Sequence, residues 1–421
     1  MRGLLAIRRT TFATALGAAL AASAVSARAQ SAEARSLTRA EAVELALARG
    51  TRAALANATV RAARAGVLAA RALANPTLSA TYSKSTPQYH AIVDVPLDFL
   101  VRRPLEVSAA LSASDAARYR LAFERAAIEF ETDTLYTRSV ARSAHAALSR
   151  ANAADADSLL TIARVRRDAG DASDLDVELA RVNAGQAGNT AAADSLDAIS
   201  ALLDLQSALG MPASHVTVAL ADTLALPPSD SLARLASTTG LVPAAGVPLA
   251  VAAAELDVRS AEESLTLQRR GIWSGLALQA GVEAHDPSGS EPGLLPTFGL
   301  SVPLPLFSWN RGQVALATAS RDRARVELDA ARRESAALMA GARRELAAAA
   351  SRAARDRELV ASADRVARLS LQAYAEGAYP LANVLEAQRN AREVLAQLID
   401  DSAALAGAAA ALHLYSTTVV P

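Results

Sequence analysis

The stretch "SVPLPLFSWNRGQVAL", residues 301–316, marks a change from one type of secondary structure to another. From Thr297 to Leu304 apolar residues alternate with polar or small ones, the period of a β-strand with one apolar face. The two prolines of "PLPLF" end this pattern, because proline has no N–H for a strand ladder. Asn310 and Gly312 then predict a turn that leads into a long helix.

An abbreviated copy of this stretch, "DVPLDFLVRRPLEVSAAL", occurs earlier, at residues 94–111. Its Val-Pro-Leu tripeptide begins at Val95 and recurs at Val302, which is 207 residues later. The pattern around Gly170 recurs around Gly377 at the same offset of 207. Two motifs at one offset without a gap predict an internal duplication.

Each predicted repeat contains a helix, two strands, a long helix and a return helix after a glycine turn. In the first repeat, "RAEAVELALARG" begins a helix that is expected to continue to about Leu73. The expected parts are a signal peptide at 1–29, a first repeat at 30–210, a linker at 211–247, a second repeat at 248–416 and a tail at 417–421. Strands are expected at about 77–97 and 275–304, and long helical hairpins at about 104–210 and 311–416.

The N-terminus has the organisation of a secretory signal peptide. A basic leader, "MRGLLAIRRT", precedes an apolar stretch, and "ARA" at 27–29 is a small-x-small cleavage signal. We therefore expect an exported protein in which no segment of spanning length follows the leader. The chain has no cysteine, which excludes disulfides, thiolate metal sites, thiol catalysis and a lipid-anchored N-terminal cysteine.

The composition favours long, closely packed helices and excludes several classes of function. Hydrophobic residues make up 52% of the chain and aromatic residues only 4%, because alanine supplies most of the apolar content. Basic and acidic residues number 43 each, so no net charge attracts nucleic acid. The five histidines are scattered and no nucleophile or phosphate-binding motif occurs, so we expect no metal site, no cofactor and no enzymatic activity.

The long helices and the short strands together favour a membrane function. A helix of about 65 residues would extend roughly 97 Å at ~1.5 Å per residue. Strands of ~8–10 residues match the ~9–11 that cross an outer membrane, but a single-chain barrel needs about eight strands. If each copy contributes four strands, a trimer with twelve strands is the smallest assembly that closes a barrel well above this minimum. A tetramer also meets the requirement. The alternative is an ordinary half-buried sheet, which does not explain why each strand pair precedes so long a helix.

The order helix, strand pair, "PLPLFSWNRGQV", long helix, "GAYPLANVLEAQR" and return helix resembles the TolC-like outer-membrane efflux family. The resemblance extends from Ser36 to Tyr415. Within the family, "PLPLF" followed by asparagine and glycine is most similar to the outer-membrane subunits of heavy-metal resistance–nodulation–division (CzcC/CusC-like) systems. The resemblance implies a mainly α fold with a small β part, in which a homotrimer forms a 12-stranded outer-membrane β-barrel on a periplasmic α-helical barrel.

The resemblance also implies a passive function and a set of partners. Cargo such as metal ions or drugs would pass from an inner-membrane pump across the periplasm and the outer membrane without chemical change. The implied partners are a periplasmic adaptor (membrane fusion protein), the pump and outer-membrane lipid, with most of the chain in the periplasm. Two alternatives remain: a periplasmic coiled-coil adaptor or scaffold, and a type I protein-secretion outer-membrane channel.

The resemblance places two sets of residues around the glycine turns. Rings of carboxylates at a constriction would favour cations, whereas the alternative role of Asp176 and Glu386 is that of solvated helix charges. Asn383 stands where some members have an acidic gate residue, and Tyr379 where some have a basic one. The implied periplasmic gate comprises Asp176, Tyr374, Tyr379, Asn383 and Glu386. The implied adaptor-docking tip comprises Gly170, Ala172, Ser173, Gly377, Ala378 and Pro380.

Overall fold

The computed structural model describes residues 35–224, 227–237, 246–271, 275–285, 293–304, 306–307 and 309–419. The predicted signal peptide lies outside these residues. The helices are α1 Arg39–Arg49, α2 Thr51–Arg71, α3 Asp98–Val101, α4 Arg103–Asp168, α5 Asp174–Ala208, α6 Ser229–Ser237, α7 Leu249–Arg269, α8 Arg311–Ala375 and α9 Leu381–Ser416. The strands are β1 Arg35–Leu37, β2 Thr77–Tyr82, β3 Tyr89–Pro96, β4 Val218–Leu220, β5 Val247–Pro248, β6 Ala277–Ala284, β7 Leu295–Ser301 and β8 Thr418–Val419.

The predicted strand pairs and long helices are present in both halves of the described chain. β2 and β3 precede α4, which has 66 residues, and β6 and β7 precede α8, which has 65. The return helices α5 and α9 begin at Asp174 and Leu381, which are 207 positions apart like the two glycine turns. Gly341 lies within α8 without interrupting it.

The single helix expected up to about Leu73 is wrong, since the structure contains two helices there. Gly50 separates α1 from α2 with extended backbone angles of φ −62° and ψ 135°. Gly50 is buried, so a residue with a side chain would have to find space at this bend. The helical periodicity continues across the break, and for that reason the sequence pattern did not show it.

The interval 211–247 contains more structure than a linker. β4 pairs in parallel with β1, from Arg35 opposite Val218 to Leu37 opposite Leu220. The buried hydroxyl of Tyr136 donates to the Leu37 carbonyl at 2.8 Å and accepts from the Asp222 N–H at 3.2 Å. Further along, α6 places Leu232 in a core cluster with leucines and alanines of α8 and α9. Both pieces therefore belong to packed structure.

The described residues form two compact units. The turn unit contains the residues up to Leu45 together with Leu135–Ala225 and Leu359–Ala403. The sheet unit contains Ala46–Thr134, Leu226–Glu358 and the residues from Ala404 onward. Each unit has a core of its own, rich in alanine and leucine.

One helix differs from the expectation that no spanning segment follows the leader. By length and composition alone α9 could cross a membrane, with a mean hydropathy of 1.3 over its most apolar window. Much of that apolar content is alanine, as in "AALAGAAAALHL". Buried residues of α9 also pack into cores, Leu381 and Val384 in one cluster and Leu405 and Ala408 in another. Packing thus uses part of the apolar surface of α9, since 22% of its most apolar window is buried.

Candidate functional site

The four-stranded sheet has the antiparallel order β2-β3-β6-β7 and one continuous apolar face. The register places Leu78 opposite Val93 on β2 and β3, and Leu278 opposite Leu300 on β6 and β7. This confirms the alternation predicted for these strands. The apolar side chains point to solvent: Leu78 is 71% exposed and Phe298 79% exposed.

The opposite face of the sheet is mainly polar, and on β6 and β7 it is less exposed than the apolar face. The His90 ring lies 3.3 Å from the Glu283 carboxylate, and the Gln279 amide donates to the Asp94 carboxylate at 2.6 Å. Along β7, residues on the apolar face are exposed whereas those on the polar face are half-buried. A half-buried sheet of a water-soluble protein has the opposite arrangement, with the apolar face inside. The exposed apolar face therefore argues against the alternative of an ordinary half-buried sheet.

The stretch 301–316 forms the junction between β7 and α8. The strand ends at Ser301, as the prolines predict, but the predicted role of Gly312 in the turn is wrong because it lies in the first turn of α8. Trp309 and Asn310 instead have positive φ angles, 42° and 55°. Asparagine tolerates this conformation better than most residues, and its amide donates to the Gln268 carbonyl at 2.6 Å. The junction is thereby fastened to the end of α7.

The two glycine turns lie where the ends of four helices meet in the turn unit. Leu159 and Ala163 of α4, Val177 and Ala180 of α5, Tyr374 of α8 and Leu381 and Val384 of α9 form one buried cluster. We call residues 166–176 and 374–383, the segments that contain the two glycine turns, the hairpin tips. Each glycine has the positive φ angle that a side chain disfavours, 85° at Gly170 and 76° at Gly377.

The first hairpin tip ends in a capping box at the start of α5. The Ser173 hydroxyl accepts from the Asp176 N–H at 3.2 Å, and the Asp176 carboxylate accepts from the Ser173 N–H at 3.1 Å. The spacing S-x-x-D at 173–176 is the sequence signal of such a box. Asp176 thus has a structural role in the single chain in addition to its predicted gate role.

The second hairpin tip has the same backbone path without a side-chain cap. The Pro380 carbonyl accepts from the N–H groups of Asn383 and Val384, as the Ser173 carbonyl does from Asp176 and Val177. Gly377 and Ala378 donate to the last carbonyls of α8, which closes the helix end. Tyr379 and Asn383 are exposed, as are most of the predicted docking residues: Gly170, Ser173, Gly377, Ala378 and Pro380, with Ala172 half-buried.

Arg166 was not among the residues chosen from the sequence, yet it contacts both hairpin tips. Its guanidinium donates to the Tyr374 carbonyl at 2.6 Å and to the Asp171 carbonyl at 3.2 Å. It also lies over the Tyr374 ring, 4.8 Å from the centroid. A cation near a helix C-terminus is the available sequence signal, but "RVRRD" offers three arginines and only packing selects one.

Tyr374 is the one predicted gate residue that is buried in the single chain, at 2% exposure. Burial raises the pKa of its phenol above the usual 10.0, the Arg166 charge lowers it, and the Asp176 carboxylate raises it. The hydroxyl oxygen is buried and finds no hydrogen-bond partner among the described residues. The structure therefore brings Tyr374 into the electrostatic range of Asp176.

Glu386 lines a separate feature, a groove of about 590 Å³ between α4, α5 and α9. Its neighbours there are polar and of both charges, including His145, Asn183, Arg389 and Glu393. Among the described residues, no cluster of three or more histidine or acidic side chains could hold a metal ion.

Outer-membrane channels are the proteins to which the chain is similar in fold and, over part of its length, in sequence. The sequence profile of the family described as "Outer membrane efflux protein" matches residues 248–416, which is the predicted second repeat. No curated protein sequence matches the chain.

Solved structures of such channels share the fold over most of the chain. The outer membrane protein VceC from Vibrio cholerae is 16% identical, with a TM-score of 0.73 over 90% of this chain and 96% of its own. The outer membrane channel CmeC from Campylobacter jejuni is 14% identical, with a TM-score of 0.75 over 90% and 85%. CusC, which forms a transmembrane channel, is 16% identical, with a TM-score of 0.73 over 90% and 92%. The chain has the fold of these channels.

Proposed function

We propose that the chain is one subunit of a homotrimeric outer-membrane exit duct. This proposal depends on the sheet, whose exposed face is apolar and whose outer strands, β2 and β7, each have one edge that pairs with no other strand among the described residues. An unpaired backbone group in lipid costs several kcal/mol, so the edges must pair with other copies. Two copies would supply eight strands, whose interior side chains fill, whereas three supply twelve and an open lumen.

The duct is proposed to act in a tripartite efflux system, with a periplasmic adaptor and an inner-membrane pump. In this arrangement the sheet lies in the outer membrane and most of the helical chain in the periplasm. The cargo passes without chemistry, as metal ions or drugs. The resemblance of "PLPLFSWNRG" favours the heavy-metal resistance–nodulation–division systems.

Two neighbouring residues of β7 on opposite faces of the sheet test the membrane assignment. Phe298→Asp places a carboxylate on the lipid face and is expected to abolish assembly in the outer membrane, because charge there is costly. Thr297→Asp places the same group on the lumen face and is expected to leave assembly intact. Both variants are fractionated, and the trimer is detected by its heat-sensitive migration.

Three outcomes of this test would contradict the exit duct. They are recovery of the unmodified protein in the soluble periplasm, absence of a trimer, and absence of conductance in planar bilayers. Soluble recovery with intact helices would favour the periplasmic scaffold. If neither β7 variant assembles in the outer membrane, the two faces of the sheet do not differ in contact with lipid.

The proposed gate comprises Asp176, Tyr374, Tyr379, Asn383 and Glu386, and its charges can be tested without removing the cap of α5. Asp176→Asn retains an oxygen that can accept from the Ser173 N–H, so it removes charge and keeps the capping geometry. Combined with Glu386→Gln, it is expected to weaken cation preference and raise single-channel conductance. The reversal potential in a salt gradient measures the preference, and unchanged values in the double variant would remove the gate assignment.

The proposed adaptor-docking tip comprises Gly170, Ala172, Ser173, Gly377, Ala378 and Pro380. Because the chain has no native cysteine, Ala378→Cys introduces a unique thiol for site-specific crosslinking in cells that express the adaptor. Ala192→Cys on the exposed surface of α5 is the matched control. Crosslinking from Cys at 192 but not at 378 would contradict the docking assignment.

The cargo is tested by deleting the gene and measuring growth in the presence of zinc or copper salts and of several drugs. Sensitivity to metal alone supports the heavy-metal assignment. Sensitivity to drugs alone overturns that assignment and leaves the duct in place. Loss of a secreted protein without either sensitivity would favour the protein-secretion channel.

A further inference from the structure

We propose that Arg166 is a positioning residue that joins the two hairpin tips of one chain and restrains their opening. Its effect on opening rests on the proposed exit duct, whereas its effect on the tips does not. The three contacts of Arg166, with the Tyr374 carbonyl, the Asp171 carbonyl and the Tyr374 ring, are called the Arg166 clamp.

The clamp connects residues that are far apart in sequence. Arg166 and Tyr374 are separated by 208 positions and lie on α4 and α8, one in each repeat. The main chain of Arg166 also takes part, since its carbonyl accepts from the Asp171 N–H at 2.8 Å. Backbone and side chain of one residue therefore hold the first turn, while the guanidinium reaches the second.

The chemistry of the clamp explains why an arginine is needed. The Tyr374 carbonyl lies in the last turn of α8, where helix carbonyls carry partial negative charge, and it also accepts from the Gly377 N–H. A planar guanidinium donates from a fixed fork and can stack flat on a ring at the same time, whereas an ammonium group has no planar face to stack. The position 207 residues after Arg166 is Ala373, so the second repeat has no arginine at the equivalent position.

The space around Gly377 depends on the same contact. A methyl group added at Gly377 would lie 3.3 Å from the Arg166 guanidinium, closer than most contacts of this kind. At Gly170 nothing lies within 4 Å of such a methyl group. The second tip is thus shaped to receive the guanidinium.

Hydrogen exchange in the other repeat tests the clamp directly. Arg166→Ala is expected to accelerate exchange of the Gly377 and Ala378 amides roughly 10- to 100-fold, the factor expected for losing a charge-assisted hydrogen bond. Arg166→Lys should restore only part of the protection. The matched control is Arg167→Ala, because Arg167 is exposed and its ion pairs, with Asp168 and with Asp174, both lie in the first repeat. Mass spectrometry of peptides spanning 370–384 in the intact protein supplies the measurement.

Unchanged exchange at 374–378 in Arg166→Ala, or equal acceleration in Arg167→Ala, would overturn the clamp. In planar bilayers Arg166→Ala is expected to raise the resting conductance and Arg167→Ala to leave it unchanged. Accelerated exchange with unchanged conductance would overturn the restraint on opening. If the unmodified protein forms no channel, the proposed function fails, and the exchange result still decides whether the clamp exists.

Discussion

The two hairpin tips follow the same backbone path but use different side chains to hold it. At the first tip the capping pair Ser173 and Asp176 begins α5, and Asp174 is exposed. At the second tip, 207 residues later, Pro380 and Asn383 occupy the equivalent positions, and Leu381 is 2% exposed in the core. The first tip is therefore held by hydrogen bonds at its surface, and the second by an apolar anchor beneath it. Four substitutions test this difference, and they are given in order of decreasing expected loss of stability.

Leu381→Ala should have the largest effect, because it removes the anchor of the second tip. We expect the free energy of unfolding to fall by about 2–5 kcal/mol, the range for emptying a buried leucine site. The control is Leu175→Ala in the first tip, where the side chain is 66% exposed and the loss should stay within about 0.5 kcal/mol. Denaturant unfolding followed by circular dichroism measures both, and equal losses would contradict the comparison.

Gly377→Ala should come next and should cost more than Gly170→Ala. Both substitutions place a side chain at a positive φ angle, which costs about 1–2 kcal/mol. Only the alanine at 377 also presses on the Arg166 guanidinium. Unfolding experiments on the two variants give the difference, and a larger cost at Gly170 would show that the guanidinium moves aside freely.

Ser173→Ala removes the cap of α5 and is expected to cost about 1 kcal/mol. Asn383→Ala, at the equivalent of the other capping position, should change stability by less than about 0.5 kcal/mol because the second tip has no side-chain cap. Amide exchange in the first turns of α5 and α9 distinguishes the two. Faster exchange in α9 than in α5 would be the contrary result.

Tyr374→Phe should have the smallest effect at neutral pH. We expect the free energy of unfolding to stay the same or to rise by no more than about 1 kcal/mol, because the buried hydroxyl lacks a hydrogen-bond partner among the described residues. Above pH 10 the stability of the unmodified protein and that of Tyr374→Phe should diverge. The raised pKa of the Tyr374 phenol means that the folded chain holds this proton more tightly than the unfolded chain, so its contribution to stability falls as pH rises past 10.0. Phenylalanine removes that decline. A loss above about 1 kcal/mol at neutral pH would reveal a partner for the hydroxyl.

Sequence patterns predicted the elements whose signals are local or periodic. Alternation placed Leu278, Val282 and Leu300 on one face of the sheet, and the register confirms it. Gly170 and Gly377 were recognised as turns, and their positive φ angles show why glycine is used there. The break at Gly50 and the turn at Asn310 were missed, because a helix pattern can continue across a bend and because asparagine can replace glycine at a positive φ angle.

The candidate site was predicted only in part. The resemblance selected Asp176 and Tyr374, and the structure adds that one caps α5 and the other is buried. Arg166 was missed because its partners lie in the Asp171 turn and, 208 positions away, at Tyr374. A charged residue near a helix end has many possible roles, and no spacing within one repeat distinguishes them.

Side-chain patterns along the chain were enough to predict the order of helices and strands, the apolar face of the sheet and the positions of both glycine turns. These features depend on the period of side chains along the chain and on the backbone preferences of single residues. Three features became visible only when the chain was folded: the exposure of the apolar face, the packing of β4 and α6, and the contact of one arginine with both tips. These features depend on which distant residues meet, and that is set by the packing of whole helices.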